Sequence, residues 1–311
     1  MKRLHIGSAP HICTGRTTRG IMLDVIIALI PTSLAGIIIF GIRAVFVLLA
    51  AVLFSVLAEY VFCLVTKREN TVGDLSAVVT GLLLGLNLPA NTPIWQAAVG
   101  AVFATLVVKC FFGGIGQNFA NPAITARIFM LVAFSNLANA AYPTLVDTVS
   151  GATPLQILSS GKLPSFFDLF FGLKGGSIGE VCIFALLIGG IYLIVRGVIL
   201  PHAPVAFILT VFGLSLLYEG GDIASALAWC LSGGVFISAI FMATDYSSTP
   251  ITPMGKAVFG VGAGAITVLI RFFGTYPEGA SFAILLMNII TPFIEKITAR
   301  RPFGSEVRVN E

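Results

Sequence analysis

"LPANTPIWQAAVGAVFATLVVKCFFGG", residues 88–114, returns in altered form as "STPITPMGKAVFGVGAGAITVLIRFFG", residues 248–274. Each copy has a pair of prolines, a Gly/Ala-rich apolar run, and a basic residue ahead of Phe-Phe-Gly. Gly/Ala-rich helices resemble one another by chance, but the shared flanks favour an internal duplication. What the duplication means depends on how many times the chain crosses a bilayer.

Of the 311 residues, 57% are hydrophobic and 10% charged, against roughly 25% charged in soluble domains. The composition excludes a soluble enzyme and predicts an all-α integral membrane protein. A bilayer core takes roughly 20 apolar residues per helix. Ten transmembrane helices are expected, near 21–40, 42–66, 72–89, 93–113, 121–137, 177–200, 202–218, 223–244, 255–273 and 277–297. The two similar segments then fall on the third and fourth spans and on the eighth and ninth. An odd separation of five inverts the second copy, giving two inverted five-helix repeats. Such folds bind ligands where helices break near the midplane, here at "LNLPANTP" (86–93) and "DYSSTPITPMG" (245–255).

Lys and Arg set the orientation. With an even number of spans both termini share a side. That side collects Lys2, Arg3, Arg16, Arg19, Lys67, Arg68, Lys109, Arg196, Lys256, Lys296, Arg300, Arg301 and Arg308. The other side has Arg43, Lys162, Lys174 and Arg271, and Arg127 lies inside a span. The expected organisation is a cytoplasmic arm (1–20), a first repeat (21–137), an external loop (138–176), a second repeat (177–297) and a cytoplasmic tail (298–311). The arm has no apolar stretch of the signal-peptide kind. No basic run interleaved with aromatics points to nucleic acid. The five cysteines are scattered without a Cys-x-x-Cys pair, which suits buried thiols better than metal ligation by this chain alone.

The external loop contains "DTVSGATPL", residues 147–155. Gly151 and Ala152 leave little bulk beside the hydroxyl of Thr153, so a modifying enzyme could reach it; an ordinary turn is the alternative. Asp147, Ser150, Gly151, Ala152, Thr153 and Pro154 together resemble the flavinylation motif of one family of membrane redox proteins. That family comprises the B subunit of the sodium-pumping NADH:quinone reductase and the D subunit of the Rnf ferredoxin:NAD oxidoreductase. Two further stretches are similar to family segments in the same order: "FGGIGQNFANPAITARIF" (112–129) and "FMATDYSSTPITPMGKAVFG" (241–260). Length and the short arm favour the Rnf D branch.

The resemblance implies FMN joined to Thr153 by a phosphoester, installed by a flavin transferase. It also implies a second, noncovalent flavin (riboflavin) on the cytoplasmic side, with Asn118, Asn121, Arg127, Asp245 and Thr252 as its neighbours. The partners implied are the other subunits of a prokaryotic cell-membrane Rnf-type complex, one carrying flavin and others iron–sulfur clusters. The function implied is electron transfer between ferredoxin and NAD coupled to Na⁺ or H⁺ translocation.

The residues have their own chemistry. "ANPA" can start a helix with Asn121 as N-cap and Pro122 in the first turn, and capping plus a structural Arg127 is the alternative to ligand binding. Asp24, Glu59, Asp74, Glu180 and Asp245 fall in or near spans, where such residues are paired or line polar pathways. Asp74, Ser76 and Thr80, read as one helical face, could supply oxygens to Na⁺. "GLLLG" (81–85) and "GVGAG" (260–264) follow no strand, so close helix packing is expected instead of nucleotide binding. A passive channel or transporter for a small solute, without a redox cofactor, and a purely structural anchor are the rival functions.

Overall fold

A computed structural model describes residues 16–134, 137, 141–142, 153–274 and 279–299. The described residues form thirteen helices and no strand, apart from a single bridge between Ala141 and Gly176. In order they are α1 (Thr18–Phe40), α2 (Ile42–Thr66), α3 (Ser76–Asn87), α4 (Ile94–Val102, continued as a π-helix over Phe103–Cys110) and α5 (Pro122–Ala133). Two short helices follow, α6 (Pro154–Ser159) and α7 (Phe166–Phe171). The rest are α8 (Ile183–Val195), α9 (His202–Tyr218), α10 (Ile223–Leu231), α11 (Val235–Ile237, with a π turn over Ser238–Met242), α12 (Pro253–Phe273) and α13 (Gly279–Thr298).

Four helices, α1, α2, α12 and α13, are long and apolar enough to cross a membrane. Alpha-10 and the α11 segment qualify as a fifth when taken together, bent by 64° at their break. Five others, α3, α4, α5, α8 and α9, are shorter apolar helices. Each of the ten ranges expected from sequence thus contains a helix, but half of those helices are shorter than a simple bilayer span. Alpha-1 and α2 present Leu34, Ile38, Leu49, Leu53 and Val65 outward. Aliphatic surface of that extent is at home in lipid rather than water. The protein is an all-helical, multi-pass membrane protein.

Small residues bring the helices together. A Cβ on Gly81 would stand 2.6 Å from the carbonyl oxygen of Ala51, and one on Gly260 2.5 Å from that of Ala203. Gly85 and Gly264 make similar approaches to Leu48 and to Thr210 and Phe207. So both glycine pairs serve close packing, of α3 on α2 and of α12 on α9. In α3 only Val78 and Leu82 fall short of full burial, and the α11 segment with its π turn is buried throughout. Alpha-1 packs against α8, and α5 against α13, while α2 holds α4 much as α9 holds α12.

The buried non-helical segment before α8 is a feature that sequence reading assigned to loop and span. Its backbone continues the hydrogen bonding that α3 abandons: Ile178 N donates to Leu88 O at 3.0 Å and Gly179 N to Leu86 O at 2.7 Å. The fit requires glycine, because a Cβ on Gly179 would meet Leu86 Cβ at 2.7 Å and Ile237 Cδ1 at 2.8 Å.

Candidate functional site

Thr153 stands at the start of α6, half-buried, as its N-cap. Its Oγ1 accepts from Gln156 N at 3.3 Å, and Thr153 N donates to Gln156 Oε1 at 2.9 Å, a reciprocal capping box with Pro154 in the first turn. Among the described residues Oγ1 acts only as an acceptor. A phosphoester at that oxygen would replace its proton and leave the backbone contact in place. Pro154 is buried, and Leu155 and Leu158 pack with Leu169, Ala228 and Trp229 against Phe272, near the C-terminal end of α12. The other members of the motif, Asp147, Ser150, Gly151 and Ala152, lie outside the described residues.

A second site forms at the opposite end of α12, beyond Pro253. A cavity of about 320 Å³ opens there between the start of α1, the wall of α3, the end of α4, the N-terminus of α5 and the segment 245–247. Asn118, Asn121 and Asp245 all line it, together with Ser76, Thr80 and Lys109. The expected helix start is present: Asn121 Oδ1 accepts from the backbone of Ala123 at 3.0 Å and Ile124 at 3.3 Å, with Pro122 in the first turn. Asn118 is held by its own turn, donating to Ala120 O at 2.9 Å. Asp245 accepts from Ser247 at 3.0 Å and Ser248 at 2.7 Å. Asn288 of α13 bridges the two segments, accepting from Asn121 N and donating to Ser248 O, both at 3.0 Å.

Two expected neighbours take no part in that wall. Thr252 caps α12, accepting from Gly255 N at 3.0 Å and donating to Thr298 Oγ1 at 3.0 Å. Arg127 is buried within α5, one turn deeper than the cavity-lining residues Asn121 to Ala123.

The polar wall of α3 departs from expectation. Asp74 closes a short 3₁₀ turn (Val72–Asp74) ahead of α3, so Asp74, Ser76 and Thr80 do not share one helical face. Asp74 accepts from Ser76 N at 2.7 Å and from its hydroxyl. Thr80 Oγ1 turns back to Ser76 O at 3.0 Å. A tethered cation contacts this wall: Lys109 Nζ donates to Ser76 Oγ at 2.5 Å and to both carboxylate oxygens of Glu59, at 3.0 and 2.9 Å. Thr71 also donates to Glu59, at 2.7 Å. Both charged residues are 2% exposed. Sequence reading placed Lys109 at the membrane surface and left Glu59 without a partner; fifty residues separate them, and no spacing rule joins them.

The remaining carboxylates are also engaged. Asp24 accepts from Tyr192 at 2.9 Å and from Arg196, tying α1 to α8. Glu180 accepts from Ser177 at 2.8 Å. At the bend between α10 and α11, Arg271 donates to Trp229 O at 2.6 Å and Ser232 O at 2.8 Å, and Lys174 donates to Leu231 O at 2.9 Å. Two cations thus close the C-terminal end of α10, where carbonyls lose their helical partners. Cys63, Cys110, Cys182 and Cys230 are buried free thiols, and no cluster of three or more His, Cys, Asp or Glu occurs among the described residues.

The chain is similar in sequence to known proteins. Residues 5–304 match the model of the NQR2, RnfD, RnfE family. The chain belongs to that family. Among its relatives is the D subunit of the Na(+)-translocating ferredoxin:NAD(+) oxidoreductase complex of Acetobacterium woodii, 46% identical over 97% of this chain and 95% of the relative. The D subunit of the proton-translocating ferredoxin:NAD(+) oxidoreductase complex of Clostridium ljungdahlii is 37% identical, over 96% of each chain. The D subunit of the ion-translocating oxidoreductase complex of Stutzerimonas stutzeri is 33% identical, over 93% of this chain and 92% of its own. The matched range includes both Thr153 and the residues that line the cavity.

Proposed function

We propose that this chain is the D-type membrane subunit of an ion-translocating ferredoxin:NAD⁺ oxidoreductase complex. It carries FMN on Thr153 and a second, noncovalent flavin in the cavity beside Asn118. The observation that carries the first part is the near-full-length similarity to D subunits of such complexes. The names of those two relatives differ in the coupling ion, so the reading is framed as cation translocation. Other subunits of the complex and a flavin transferase are the partners it requires.

The chain's own residues fit these groups. Thr153 offers an oxygen at the edge of a packed helix, held in place by Gln156 and by the burial of Pro154 and Leu155. The cavity falls at the lower end of the size range of ligand pockets, roughly 300–1,000 Å³. Ile21, Val79, Leu83 and Ile115 give it apolar walls for a flat ring. Asn118 and Asp245 give it polar edges, and α5 turns its positive N-terminal end toward it. A bound flavin supplies the electron transfer; the protein positions the ring, tunes it and excludes water.

The ten-helix inverted repeat is part of the proposal. It is supported by the reciprocal packing of α1 with α8 and of α5 with α13, the first and the fifth helix of each expected half. It puts α6 on the external side and the cavity on the cytoplasmic side.

The test is in-gel flavin fluorescence after denaturation, from cells that co-express a flavin transferase. A fluorescent band is expected for the unaltered chain and none for Thr153→Val. A band that survives Thr153→Val contradicts the assignment, and no band in either chain favours the transporter reading.

A further inference from the structure

The geometry points to Lys109 as the residue that sets the reduction potential of the ring in the cavity, with Glu59 as its counterweight. This inference rests on the second flavin proposed above. Lys109 and Ser76 both form part of the cavity wall, and the ammonium is bonded to Ser76 Oγ at 2.5 Å. Glu59 is not part of that wall. The pair therefore presents its positive member nearer the cavity and its negative member behind. All three protons of the ammonium have acceptors in Ser76 and Glu59. The charge is thus fixed in place rather than free to swing toward a ligand.

A fixed charge of this kind acts by field. Both residues are 2% exposed, so little solvent screens them. A flavin gains negative charge on reduction, and a positive charge held at the wall favours the reduced ring over the oxidised one. Glu59 opposes that effect from a longer distance. Asp245 also lines the cavity and carries the opposite sign, so Lys109 has a local negative field to overcome. Ser76 and the N-terminal end of α5 add dipoles at the same wall.

Opposite signs distinguish this role from a structural one. Merely loosening the site would move both single variants the same way or empty the cavity. The full-length chain is purified in a Thr153→Val background, so that the remaining flavin is noncovalent. Its content is counted after denaturation, and its midpoint potential is measured by spectroscopic titration. Lys109→Gln is expected to weaken the preference for the reduced ring about tenfold, a fall of about 30 mV for a two-electron couple. Glu59→Gln is expected to raise the midpoint, Lys109→Arg to leave it near the starting value, and the double Gln variant to return toward it.

Flavin retained with both single variants shifted in the same direction, or with neither shifted, overturns the inference while the second flavin stands. A chain that holds no noncovalent flavin overturns the second flavin itself. Should Lys109→Gln fail to fold, Glu59→Gln and Lys109→Arg decide the matter: an upward shift in the first with none in the second supports the role, and no shift in the first overturns it.

Discussion

A lysine and a glutamate fifty positions apart meet where α2, the start of α3 and the end of α4 come together. Lys109 and Glu59 are buried to 2% exposure and joined by two contacts near 3 Å. Removing one partner from such a pair leaves an unpaired charge, at a cost of about 3–5 kcal/mol, whereas replacing both with apolar groups is often close to neutral. Thermal unfolding in detergent should therefore show Lys109→Met strongly destabilised and Lys109→Met with Glu59→Leu largely restored. Equal losses in the two proteins would show that the pair contributes little beyond its packing. At this scale the sequence was readable where chemistry is local. The Asn121–Pro122 helix start followed from residue type alone. The capping box of Thr153 was also written there, as Thr-x-x-Gln, but reading Thr153 as a turn residue hid it. The shared helical face expected for Asp74, Ser76 and Thr80 is absent for a local reason too: the helix begins at Ser76, directly after Leu75 adopts a left-handed turn, so Asp74 lies outside it.

Among the elements, the buried turn before α8 departs most from a simple bundle. It is buried without being helical, and it borrows its hydrogen bonds from the end of α3. Gly179 is the residue that admits it. Gly179→Ala forces a Cβ to within 2.7 Å of Leu86 Cβ, and overpacking of that kind costs about 1–3 kcal/mol. The expected result is a lower unfolding temperature than that of Gly213→Ala, where a Cβ meets nothing within 4 Å. Equal unfolding temperatures would contradict the tight insertion. Apolar run length located a helix in each of the ten expected spans but neither α6 nor α7, which fall in the expected loop, and α9 matches its expected range of 202–218 to the residue. Run length could not show that 223–244 bends at Ser232–Gly234, or that a Gly-rich segment would be buried, because both depend on neighbours from distant parts of the chain.

For the whole molecule, α12 is the ruler. It has 21 residues, so about 30 Å separates its ends at 1.5 Å per residue. Thr153 belongs with the C-terminal end of α12, through Leu155, Leu158 and Phe272, and the cavity with the N-terminal end. Two flavins placed there would sit near opposite faces of a bilayer. Single cysteines should reveal the arrangement in a chain whose native thiols are replaced. Ser159→Cys is expected to react with a membrane-impermeant maleimide added outside intact cells, and Lys67→Cys only after the membrane is opened. The reverse pattern would invert the orientation, and labelling of both from outside would break the even span count. Charge counting gave the expected orientation that these labels test, and the duplicated segment the expected repeat; the cavity was not legible, since parts of the chain far apart in sequence enclose it.

The central claim is that the hydroxyl of Thr153 carries a flavin. Mass spectrometry of the proteolytic fragment containing Thr153, taken from native membranes, tests it most directly. The expected mass exceeds that of the amino acids by one FMN less one water, with fragmentation placing the addition on Thr153. A fragment with the mass of its amino acids alone would contradict it.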